Sequence, residues 1–105
     1  MPNKERLEQL AQRVENADDF NQYEPSFCVV GIAQKMVAEA LNIRSHYQVS
    51  DHMIAEFFDI RVQDVAALFY AHYEHLGIEG LENLPFSEVT QDIAAHVVRK
   101  LAERG

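Results

Sequence analysis

Cysteine is all but missing from this chain. Cys28 stands alone, which excludes an internal disulfide framework and an all-cysteine zinc site. Long apolar runs are missing as well. No window approaches about 18 uninterrupted apolar residues, so no membrane span is expected. The stretch Met1-Pro2-Asn3-Lys4-Glu5-Arg6 meets charge at once and has no apolar stretch of the signal-peptide kind. A cytoplasmic location is the expectation. Cations are scarce: nine Lys and Arg face seventeen acids, a net charge of −8. The deficit is local. Residues 45–98 hold nine acids against Arg61 alone, while 1–44 carry a net −2 and 99–105 return +2. A block of that sign repels phosphate and attracts basic surfaces, though it also serves plain solubility.

What is present reads as one globular domain spanning 1–105, with 48% hydrophobic and 25% charged residues. No internal repeat or low-complexity segment interrupts it. Asn3 can cap a first helix, in which Leu7, Leu10, Ala11, Val14 and Ala17 recur at spacings of three and four. Residues 18–25 break the period and end at Pro25, which disfavours helix just before it. Ser26 offers a cap oxygen to a second helix reaching Leu41. There Val29, Ile32, Ala33, Met36, Val37, Ala40 and Leu41 cover more than half the circumference, so it should be the central element. Residues 27–30 could alternatively form a short buried strand, but the apolar period continues at 3.6 beyond them.

Residues 42–49 read as a polar loop. Ser50 or Asp51 then caps a short helix, Asp59-Ile60-Arg61 turns, and a longer helix follows over 62–76, closed by Gly77. Residues 78–86 are loop. A last helix starts between Ser87 and Thr90 and carries Ile93, Val97 and Leu101 as its seam, with Arg99 and Lys100 near its negative end. The expectation is therefore an all-α bundle of about five helices with a helix-turn-helix-like corner at 51–76. Its core should include Leu10, Val14, Val29, Ile32, Ala33, Val37, Ile54, Phe57, Val65, Phe69, Ile93 and Val97. Ile32→Asp is expected to bury an unpaired charge and destabilise severely.

Four features bear on function. The corner resembles a helix-turn-helix, with small Ala55, the turn at Asp59, and apolar Ile60 and Val65. As DNA contacts it offers only Arg61 and Gln63, where phosphate and base readout need several Arg, Lys, Asn or Gln. His72 and His75 lie one turn apart and could share a metal, but no recognised zinc or di-iron spacing completes them; solvated histidines at a helix end account for them better. Cys28 sits near a helix start, where a thiol pKa can fall, and His46, His52 or His96 might serve it in space. Its apolar neighbours Phe27, Val29 and Val30 favour a core role. Last come ten aromatic rings. Phe57 and Phe58 are adjacent, as are Phe69 and Tyr70, so one face cannot bury them all, and an exposed patch would mark an interface.

The order Phe20-Asn21-Gln22, then Cys28-Val29-Val30-Gly31-Ile32-Ala33, resembles a group of small uncharacterised bacterial and phage proteins. These share a Phe-Asn or Phe-Asp loop before a Cys-x-x-Gly-x-Ala helix start. Ala55-Glu56-Phe57-Phe58-Asp59-Ile60, Ala67-Leu68-Phe69, and Val89-Thr90 with Ala94 are similar to the later parts of that group. The likeness spans about residues 20–102. The chain lacks the Gly-Thr that often follows an earlier cysteine there. The resemblance implies an all-helical fold and carries no activity.

No acid pair, Ser-His arrangement or glycine-rich phosphate loop stands out, so no enzyme, cofactor or metal is expected. The expected function is an acidic interaction or regulatory module with a protein partner, basic in character, or a homodimer. Its contact surface would be Tyr70, Tyr73, Glu74, Glu79 and Glu82. A DNA-binding regulator using Arg61 and Gln63 is the alternative.

Overall fold

Asn3, Ser50 and Thr90, three of the caps that the sequence offers, each open a helix. A computed structural model describes residues 2–18, 20, 28–70, 78, 81 and 89–103, with Phe69 and Tyr70 described in backbone only. Asn3 stays extended, and its side chain accepts from the Arg6 amide at 3.1 Å, opening α1 (Lys4–Glu15). α2 spans Val29–Leu41, α3 Asp51–Phe58, α4 Val62–Tyr70 and α5 Gln91–Ala102. A single 3-10 turn, His46–Gln48, lies inside the segment expected as loop. No strand occurs among the described residues, and none of their helices is long and apolar enough to cross a membrane. Among the described residues the fold is an all-α bundle of five helices.

α2 is helical from Val29, which settles the strand alternative at that position; Cys28 is its cap residue, without a side-chain cap bond. Ser26, expected as the cap, lies outside the described residues. α2 is central as expected, packing against α1, α3, α4 and the 3-10 turn. Gln34 Nε2 donates to the Val49 carbonyl at 3.0 Å and ties the segment after that turn to α2. The most extensive contact, however, joins α1 to α5. Leu7, Leu10, Ala11 and Val14 on one helix and Ala94, Ala95, Val97, Val98 and Leu101 on the other are all buried. Polar bonds reinforce the pair. Arg99 bonds Glu8 at 2.9 Å through Nε and Glu15 at 2.7 Å through Nη2. Gln91 Nε2 donates to the carbonyls of Val14, at 2.9 Å, and of Ala17.

Three expected core residues sit at its edge. Ile32, Phe57 and Ile93 are only partly buried, while Val30, Phe58 and Val98 are buried. At Phe57-Phe58 an apolar stripe can be drawn in either of two registers, and the packed neighbours choose Phe58. At Val29-Val30 and Val97-Val98 both residues are buried, so the buried face reaches past the expected seam on one side and leaves Ile32 and Ile93 at its other edge. Ile32→Asp would thus place its charge at a half-buried edge within reach of water. The severe outcome belongs to Val29 and Val37, both with no exposed surface. Phe69 lies outside what is described of the side chains. The end of α2 departs too: Ala40 and Leu41 are exposed, Leu41 by 54%. Both project on the side of Val29 and Val37, so the neighbours covering that side stop short of the helix end.

Candidate interaction surface

The corner expected at 51–76 is present as far as Tyr70. Ser50 Oγ accepts from the Met53 amide at 3.2 Å and starts α3. Asp59 stops it in the left-handed conformation, at φ 55° and ψ 48°, and Ile60 donates back to the Ala55 carbonyl at 2.9 Å. Asp tolerates that conformation better than most side chains, which is why the turn forms without glycine. α4 packs directly on α3.

At the start of α4 Asp64 is buried, only 5% exposed, and its carboxylate accepts from both the Arg61 amide and the Arg61 guanidinium, the latter at 3.1 Å through Nη2. The bond from Asp64 raises the Arg61 pKa further. Arg61 is therefore occupied in neutralising a carboxylate of its own helix. Gln63 is exposed beside it, with no second cation from the block to help. Base and phosphate contacts from this helix would rest on one committed guanidinium.

Of the surface expected to meet a partner, Tyr73, Glu74, Glu79 and Glu82 lie outside the described residues, as does the side chain of Tyr70; His72 and His75 lie outside them as well. Cys28 is buried with 1% exposure, in keeping with its core role. Among the described residues no three His, Cys, Asp or Glu side chains gather as a metal site requires.

A groove that the sequence reading missed lies where the start of α1, the end of α2 and the outer face of α3 meet. Arg6, Leu41, Met53, Glu56 and Phe57 line a cavity of about 270 Å³. Met53, Glu56 and Phe57 share one face of α3 by their three- and four-residue spacing. The Arg6 guanidinium sits 4.1 Å over the Phe57 ring and donates to the Phe57 carbonyl at 2.8 Å. Phe58 meets Phe57 edge-on at 5.0 Å. The Asn3 amide donates to the Phe58 carbonyl at 2.9 Å, so α1 satisfies carbonyls that α3 leaves open at its end. One sequence signal pointed here, the adjacent rings that one face could not bury; Leu41 was expected within the apolar side of α2. Their joint location depends on tertiary packing.

No protein-family model, no curated protein and no solved structure matches the chain.

Proposed function

We propose that this chain is a small acidic module acting in the cytoplasm through contacts with a basic protein partner, as an interaction or regulatory element. One observation carries the reading. Arg61, the single cation of residues 45–98, is bound to buried Asp64, while Asp51, Glu56, Asp59 and Asp92 of the same block are exposed. Such a surface steers basic partners and repels phosphate. The reading assigns no catalytic residue and no cofactor. It retains Tyr70, Tyr73, Glu74, Glu79 and Glu82 as a contact surface. A homodimer, whose second copy is equally acidic, is a separate form of the interaction reading and would rest on apolar contact rather than on charge.

The helix-turn-helix-like corner keeps a DNA-binding regulator as the competing reading, with Arg61 and Gln63 as its contacts. Affinity capture from the native host, followed by reconstitution with the purified candidate, tests the first. A basic partner that binds the purified chain, more weakly as salt rises, is the expected result. A mobility shift of random duplex at micromolar protein, lost with salt and on Arg61→Ala, would overturn it in favour of DNA binding. Light scattering on the purified chain reads the homodimeric form directly.

A further inference from the structure

We infer that the groove between Arg6, Leu41 and Phe57 receives one large apolar side chain from a basic segment of the partner protein. The inference rests on the interaction reading above and gives it a place on the fold. Size limits the occupant first. About 270 Å³ is at or below the smallest small-molecule pockets and suits a single anchor side chain. The lining matches an apolar anchor. Leu41 is a large aliphatic residue left 54% exposed at the cavity, and Phe57 is only partly buried. Met53 supplies an adaptable wall of the kind used where partners vary in shape. Arg6 is held by the Phe57 carbonyl and ring, so its side of the groove is formed before anything binds and costs little ordering.

Charge then selects the segment. Glu56 lines the groove, is exposed and makes no ion pair among the described residues. Asp59 is exposed at the end of the same helix, and the chain as a whole carries −8. Within the lining Arg6 balances Glu56, so the preference for a Lys or Arg beside the anchor comes from Glu56 at contact range and from the −8 chain at long range. A second copy fits less well. It would bring −8 against −8.

The probe is a displayed library of random linear peptides, selected on the intact chain. Selected peptides should share one Leu, Met, Phe or Trp with a Lys or Arg within one helical turn. Binding of the synthesised consensus should fall at least about tenfold on Leu41→Asp and about threefold on Glu56→Lys. Tyr47→Ser, exposed outside the groove lining, should leave it unchanged. Leu41 is 54% exposed at the end of α2, so Leu41→Asp should lower the melting temperature only slightly, by the cost of an acid at a helix C-terminus, and a retained cooperative transition certifies that the loss is local. A consensus indifferent to both groove substitutions would place the contact elsewhere and overturn the assignment while leaving the interaction reading standing. Failure to select any peptide also overturns it. Self-association abolished by Leu41→Asp would give the groove to a second copy and equally overturn it. The interaction reading itself falls only by its own capture and duplex experiments.

Discussion

Arg99 holds two carboxylates that lie two turns apart on a neighbouring helix. Its hydrogen bonds lower the pKa values of both Glu8 and Glu15 below their ordinary 4.5, and those bonds raise its own. A carboxylate whose folded pKa is lowered contributes stability that is fully present above its unfolded value. That contribution is lost as pH falls through the folded value. Arg99→Gln should therefore be less stable than the parent at neutral pH, with the gap closing in acid as both glutamates protonate. Urea unfolding at pH 7 and near pH 3 checks this; a gap of constant size would detach the effect from these two acids. Arg6 serves a different purpose with the same group. It closes the end of α3 and at once walls a groove, so its replacement would disturb both, which is why Leu41 and Glu56 are the better probes of binding.

The helices begin where short polar side chains can accept from amides two or three residues ahead. Asn3, Ser50 and Thr90 each do so, and all three positions are readable from sequence because a cap is a local bond. Ser50→Ala should cost about 1 kcal/mol, seen as a lower urea midpoint with an unchanged slope, since the capped helix is short and has no turns to spare. Turn chemistry was legible for the same reason: Asp59 takes the left-handed position that a three-residue connection demands. Registers were not. Phe57-Phe58 can offer either ring inward on a helix of eight residues, and only the neighbouring elements decide that Phe58 goes in. The turn at His46–Gln48 is too short to show a period at all. The groove was beyond sequence reasoning because Arg6, Leu41 and Phe57 come from three helices far apart along the chain. The sequence placed Leu41 on the apolar side of α2 and Phe57 in the core, and neither their exposure nor their meeting point was visible in it.

The radius of gyration, 12.5 Å, matches the roughly 13 Å expected of a compact chain of this length. Within that body the tightest pairing joins the first helix to the last. Ending the chain before Gln91 would strip α1 of its main partner and uncover Leu7, Leu10, Ala11 and Val14 together. The truncated chain should lose its cooperative melting transition by circular dichroism; a sharp transition retained would show that α2, α3 and α4 hold α1 unaided. The same pairing sets an order of events in the cell. While the chain is being made, α1 is complete before α5 exists, so the part of its apolar stripe that α5 covers waits for residues 91–102. Contacts this distant in sequence close late. A product stalled or terminated before α5 would therefore present that stripe and be an immediate client for chaperones and proteases.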